Sequence, residues 1–300
     1  MNQDVPGYLF TMDIEGLQKF VSEKEGALNI IEQLRGGAKN RWPYAQVRDV
    51  IMALIKQPKH RVYQTYAIPG GEFTVSRARR LLNHRGWFLR EEDLGPPPPD
   101  KMIDPGRCHQ PNRPLCYCSL HPEIALSELN PEMGERFVIA EFRFEQNIIA
   151  MPVGELDYYR RTGETYLGSA IEGATKPFDD TLVEPNAVIP VLIDAFLADE
   201  FIKPAITDTD YKITSAFSDI ILNEFGPTHK VDALVYPSVA FRGGLNFAIQ
   251  PESLKLKMKL IDAEVIEITD VVGYGIFGRK QLGKLKSITD GRLDWNQMEF

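Results

Sequence analysis

The chain has 300 residues, 43% of them hydrophobic and 25% charged, the composition of an ordinary globular protein with enough length for one large core or two modest ones. Lys and Arg number 34 against 42 Asp and Glu, a formal charge of -8, so the surface as a whole repels nucleic acid and anionic lipid and a general DNA-binding role is disfavoured. The richest apolar stretches, Val50 to Ile55 and Ala187 to Ala198, are short or interrupted by Pro190 and Asp194, and fall below the roughly 18 residues that cross a bilayer.

Thr11 is placed to cap a helix in which Ile14, Leu17, Val21, Leu28 and Ile31 recur at helical spacing up to Gly36-Gly37. A second helix opens at Pro43, carries Val47, Val50, Ile51 and Leu54 on one face, and stops before Pro58. Together they predict a helical N-terminal unit over residues 1–65. Val62 to Tyr66 and Phe73 to Val75 are β-prone and flank Pro69-Gly70-Gly71, a hairpin or a linker turn. Four consecutive prolines at 96 to 99 sit in the stretch from Gly95 to Gly106, which predicts an exposed loop.

Leu115 to Ser119 reads as a short strand and Pro122 to Leu129 as a short helix. Ala140, Phe142 and Phe144 alternate with charged residues, the pattern of a half-buried strand. Residues 150 to 185 have no clear period. Helices are expected from Ala187 to Phe201 and from Tyr211 to Phe225, the latter closed by Gly226-Pro227. Val231 to Tyr236, Asn246 to Ile249 and Leu254 to Ile268 read as strands, the last because leucines and Met258 alternate with Lys255, Lys257 and Lys259. Helices followed by mixed strands and helices predict an α+β architecture rather than a regular βαβ wind.

The start, Met1-Asn2-Gln3-Asp4, has no basic stretch ahead of an apolar one, so no secretory signal is expected. The three cysteines crowd between Cys108 and Cys118, too few and too clustered for a disulfide framework, and a cytoplasmic address follows. With His109 and His121 they invite a metal test, but the spacing matches no paired zinc pattern, and packed thiols are the favoured reading.

On a helical wheel Glu128 falls inside the apolar arc of Ile124, Ala125, Leu126 and Leu129. A carboxylate aimed at a core needs a partner, a hydrogen bond or a cavity; the plain alternative is a helix-end glutamate reaching water or an arginine. Val235-Tyr236-Pro237-Ser238, with Arg242-Gly243-Gly244 and Asn246 beyond, is a strand running into a glycine turn, where ligands often meet backbone and where ordinary hairpins also occur. Ser238 lies in no G-x-S-x-G elbow, so a hydrolase nucleophile is weakly supported. Neither G-x-G-x-x-G nor a P-loop occurs. Arg77, Arg79 and Arg80 form a small basic run, a solvated face or an anion contact.

Read together, Gly106-Arg107, Pro114-Leu115-Cys116-Tyr117-Cys118-Ser119, Glu123 to Leu129, and Val235-Tyr236-Pro237-Ser238 with Gly244-Leu245-Asn246 resemble the RES domain over about residues 75 to 255. The resemblance implies a compact, mixed-sheet, ADP-ribosyltransferase-like α+β fold over residues 66–300. It also implies the activity of family members known as toxins of bacterial toxin-antitoxin pairs. These consume NAD by cleaving its nicotinamide glycosidic bond with water or phosphate, or by transferring ADP-ribose to a protein.

Carried over by residue, the resemblance makes Arg107, Glu128 and Ser238 the catalytic set and Tyr117 a pocket residue, with Arg77 and Asn246 as further substrate-binding candidates. NAD is then a substrate, and neither a cofactor nor a metal is needed; an antitoxin protein, a phosphate or protein acceptor and a homo-oligomer are the partners to consider. A guanidinium suits a pyrophosphate, a tyrosine ring suits a flat cation, and a carboxylate suits an oxocarbenium-like ribose. Three features depart from the family: Cys108-His109 follows Arg107 where an aromatic residue and an asparagine are usual, the long separation of Glu128 from Ser238 marks about 150 to 205 as an insertion, and the helical N-terminal unit lies outside the resemblance. The rival is a non-catalytic interaction module that keeps the fold with a decayed pocket.

Overall fold

The computed structural model describes residues 12–56, 63–81, 87–168, 173, 175–184, 186–225 and 230–297. In chain order its elements are α1 Ile14–Val21, α2 Lys24–Gln33, α3 Lys39–Arg41, α4 Tyr44–Ile55, β1 Tyr66–Ile68, β2 Thr74–Arg80, β3 Cys116–Ser119, α5 Pro122–Ser127, β4 Arg136–Phe144 and β5 Ile148–Pro152. They continue with α6 Glu155–Thr162, α7 Lys176–Leu182, α8 Val188–Ile202, α9 Lys212–Asn223, β6 Ala233–Pro237, β7 Leu245–Ile249, α10 Pro251–Lys257, β8 Met258–Gly273, β9 Ile276–Thr289 and β10 Arg292–Gln297. The fold class is α+β.

Two compact units emerge. The first holds the described parts of Met1–Tyr66, Asp104–Gln110 and Met151–Val231, and the second those of Ala67–Ile103, Pro111–Ala150 and Asp232–Phe300. The N-terminal helices thus share a unit with residues 151–231, which include most of the segment expected as an insertion, about 150 to 205.

In the first unit, the single helix expected from residue 14 to 36 is broken after Val21. Asp13 caps α1 by accepting from Gly16 N at 2.8 Å; Thr11, the expected cap, lies outside the described residues. Where α2 begins, a Cβ on Gly26 would overlap the Phe20 carbonyl, so the turn between the two helices admits no side chain there. Helix α4 packs on α9 and buries Val47, Ile51 and Leu54 with Ile213, Phe217 and Ile220. Helix α8 is apolar on nearly every side because α2, α6 and α9 all pack against it. Its buried Asp194 accepts from Gly154 N and Asp157 N, both at 2.9 Å, and so caps α6 from a distance. The closure of α9 by Gly226-Pro227 falls outside the described residues.

The sheet has ten strands in the order β1-β5-β6-β7-β3-β2-β4-β8-β9-β10. Strands β2 to β4 and β6 to β10 lie wholly in the second unit, and β2 pairs antiparallel with β3 and β4, β7 with β3 and β6, and β8 with β4 and β9. Because β1 and β2 are not neighbours, Pro69-Gly70-Gly71 is a linker turn and not a hairpin. Leu126 of α5 closes a core with Phe137, Ile139, Ile266 and Ile268, against which Ala78 packs.

The strand expected from Leu254 starts only at Met258; residues 251–257 are helix α10. Its cause is a buried acid. Asp232, fully enclosed, accepts from Ser253 Oγ and Lys257 Nζ, each at 2.6 Å, and from Ile149 N at 2.8 Å. Residues four apart are neighbours on one face of a helix and there reach one carboxylate, and Pro251 at the first position sets the required φ. Among the described residues no helix is long and apolar enough to cross a membrane.

Candidate functional site

Strand register assembles a polar floor. Ser119 of β3 stands opposite Ser76 of β2 on one side and Asn246 of β7 on the other. Side chains alternate along a strand, so Ser76 shares a face with Ala78, which packs on the α5 cluster; Ser119 and Asn246 continue that face. Helix α5 therefore stands over the floor, and its C-terminal end is held by Arg80, which donates to Leu129 O at 2.8 Å and pairs with Glu135 at 3.1 Å. A guanidinium at a helix C-terminus also complements the dipole there.

Glu128 is the C-cap of α5 (φ -63°, ψ -21°). The wheel placed it inside the apolar arc, but the helix ends at Ser127, and the exposures are reversed: Ser127 is buried and Glu128 is exposed. Ser127 is accommodated because its hydroxyl bonds back to Glu123 O at 2.7 Å. Glu128 Oε1 accepts from Ser238 Oγ at 2.6 Å and from Asn246 Nδ2 at 2.6 Å. Ser119 Oγ donates to Asn246 Oδ1 at 2.7 Å, and Phe241 N donates to Ser238 Oγ at 2.9 Å. Ser238 and Asn246 are 8% and 4% exposed. The result is a carboxylate open to solvent whose one oxygen is pinned by two buried donors.

The loop that carries Ser238 is closed by Ser238 N donating to Gly244 O at 2.8 Å. The β8–β9 turn bears on it. Gly275, at φ +77°, lies where a Cβ would overlap the Phe241 ring, so glycine is required on both conformational and steric grounds.

The other candidates are distributed differently. Tyr117 is half-buried and, two residues from Ser119, lies on the same face of β3. Arg77, expected as a substrate-binding residue, alternates to the face opposite Ser76, where it donates to Tyr117 O at 2.9 Å and to Cys116 Sγ at 3.7 Å. Asn246, expected to contact substrate, donates to Glu128 and accepts from Ser119.

Arg107 belongs to the first unit. There it donates to Phe201 O at 2.6 Å and Lys203 O at 3.0 Å and stacks over Tyr211 at 5.8 Å. Cys116 and Cys118 lie 3.7 Å apart, sulfur to sulfur. The hydrogen bond with Cys118, followed by the nearby Arg77, draws the Cys116 thiol down to about 7 against its burial, and the same contact pushes Cys118 up. All three cysteines are buried and none of them is in a disulfide. Among the described residues no group of three or more His, Cys, Asp or Glu could hold a metal ion.

Ser119 and Arg80 were missed as parts of this assembly. The face shared by Tyr117 and Ser119 is readable from alternation, but the cross-strand register that delivers Asn246 to Ser119 is not. A sequence model of a family described as RES domain matches residues 77–264. No curated protein and no solved structure matches the chain.

Proposed function

The chain belongs to the RES-domain family, and from that membership we propose that it is an NAD-consuming enzyme that breaks the nicotinamide–ribose bond, the toxin of a pair restrained by an antitoxin protein. One observation carries the reading: Glu128 is pinned at Oε1 by Ser238 and Asn246 and is otherwise open to solvent. As nicotinamide leaves with the bonding electrons, positive charge develops on the ribose. A preset carboxylate stabilises that charge and the hydroxyl bonds that strengthen with it, with no reorganisation at the moment of reaction. Tyr117, on the face of the sheet that carries Ser119, offers a ring for the flat nicotinamide cation.

Ser238 acts here as a positioning group, because its hydroxyl proton is given to Glu128. Arg107 uses two of its five N–H donors on carbonyls, leaving others for a pyrophosphate. The acceptor that completes the reaction is water, phosphate or a protein side chain. Of the arginines considered for a phosphate, Arg77 and Arg79 point away from Glu128's face of the sheet by alternation, and Arg242, exposed in the Ser238 loop, is the better placed.

Purified protein incubated with NAD, with and without inorganic phosphate, should release nicotinamide, and folded Glu128→Gln should not. Free ADP-ribose, a phosphorylated ADP-ribose, or added mass on protein identifies the acceptor. A folded wild-type protein that leaves NAD intact in every arm supports the rival, a non-catalytic RES-fold interaction module. The engagement of Arg107 with two carbonyls is the observation that favours that rival.

A further inference from the structure

Behind the pinned carboxylate, Ser119 holds one of the two residues that pin it. Ser119 and Asn246 come from two neighbouring strands, β3 and β7, and face each other in register. Both are buried, at 3% and 4% exposure, and they are bonded to each other at 2.7 Å. We infer that Ser119 and Asn246 form a positioning relay: Ser119 completes the Asn246 amide, and Asn246 aims Glu128 by holding Oε1, so that Oε2 is the oxygen left to meet the ribose. The inference deepens the proposed NAD reaction and rests on it for its kinetic arm.

The chemistry of an amide makes the relay directional. Asn246 can give hydrogen bonds only from its nitrogen end and take them only at its oxygen. With nitrogen toward Glu128, the oxygen points into the sheet, where an unmet buried acceptor is costly. Ser119 meets it at 2.7 Å. Turned the other way, Asn246 would set its oxygen against the Glu128 carboxylate. Ser238 alone cannot replace this control, because one hydrogen bond leaves a carboxylate free to swing about it. A second donor, on a central strand, fixes the plane of the group.

The test is steady-state NAD turnover by the full chain with Asn246→Asp, Asn246→Ala, Ser119→Ala, Ser119→Thr and the double variant Ser119→Ala/Asn246→Ala. A positioning role lowers kcat about 10- to 100-fold for the Asn246 variants, the range for losing a hydrogen bond to a charged group, with KM for NAD held within about twofold. Ser119→Ala should lose less, Ser119→Thr should recover the activity, and the double variant should be no worse than Asn246→Ala alone, since residues in one network do not add. A raised KM at constant kcat would make Asn246 a substrate contact and overturn the inference, as would losses that multiply.

A second readout is independent of NAD. The side-chain amide resonances of Asn246 in a ¹H–¹⁵N spectrum should move in both Ser119→Ala and Glu128→Ala, and resonances indifferent to either substitution overturn the relay. Wild-type protein without NAD turnover defeats the proposed function alone, and the spectra then decide the relay.

Discussion

Ser238 and Glu128 are 110 residues apart in the chain and 2.6 Å apart in space, joined by the serine hydroxyl donating to Oε1. That hydroxyl also accepts from Phe241 N at 2.9 Å, so it links the carboxylate to the loop beneath it. Ser238→Ala removes both bonds and leaves a backbone N–H to find water. Turnover of NAD should fall about 10- to 100-fold, and stability by about 1–2 kcal/mol. Progress curves and urea denaturation measure the two effects, and an unchanged kcat would detach Ser238 from the chemistry.

The β8–β9 turn gives a way to disturb the same hydroxyl from outside. Gly275→Ala brings a methyl into the Phe241 ring and imposes a side chain on a positive φ, costs on the order of 1–3 kcal/mol together. The expected result is faster amide exchange across residues 238–244 and reduced NAD turnover. Tyr274→Ser, one residue away and 98% exposed, should alter neither. Equal behaviour of the two variants would show that the turn does not support the site.

Two buried acids of the first unit set a pH dependence of stability. Burial is the main cause that pushes Glu155 up to about 7 from 4.5 and Asp194 up to about 7 from 3.8. The titratable groups around Glu155 are Asp194, Tyr66 and Tyr166, and the Tyr66 hydroxyl is itself raised, first by burial and then by Glu155. Folded values above the unfolded ones mean the unfolded chain surrenders these protons first. The contribution of these two acids is therefore full below about pH 4 and is lost as pH rises through 7. The Glu155 shift alone corresponds to roughly 3 kcal/mol. Glu155→Gln should flatten the slope in denaturation midpoints taken from pH 4 to 8, and an unaltered slope would assign the titration elsewhere.

Local pattern made much of the fold legible, and long-range partners decided the rest. The face of α4 follows from spacing, and of the prolines at 96 to 99 Pro98 and Pro99 are exposed while Pro96 and Pro97 are half-buried. The break after Val21 does not, because the apolar period of 14, 17, 21, 28 and 31 runs through it; the turn is set by a close approach at Gly26. Glu128 was picked out by its apolar neighbours, yet it is exposed, and α5 ends at Ser127, two residues earlier than the wheel assumed. Asn246 was visible as a polar residue after a glycine turn, but its partner Ser119 is fixed by a β3–β7 register that no local signal reports.

Residues 254 to 260 show the same limit and supply a further test. Alternating leucine and lysine predicts a strand, and Asp232 overrides it by gathering Ser253 and Lys257 onto one turn of helix. Asp232→Ala leaves Lys257 without its buried partner and Ile149 N without its acceptor. A loss of about 3–5 kcal/mol is expected for breaking such a pair. Lys257→Met, which keeps the stem and removes the charge, should cost less. Similar losses in the two variants, read from guanidinium unfolding, would show that the charge of Lys257 matters more than the three-way acceptor.

Arg107 separates structural from catalytic loss. Its guanidinium holds the carbonyls of Phe201 and Lys203 at the end of α8 and lies over Tyr211, so Arg107→Ala removes a tether whatever the residue does for NAD. A fall of about 1–3 kcal/mol in stability is expected from that tether alone. Arg107→Lys keeps one charge but cannot span both carbonyls in a planar fork. If the remaining donors also grip a pyrophosphate, Arg107→Lys should raise KM for NAD more than tenfold in protein shown to be folded by its near-ultraviolet circular dichroism. A lysine variant that is less stable yet unchanged in KM would confine Arg107 to holding the helix, and the anion contact would then fall to another residue.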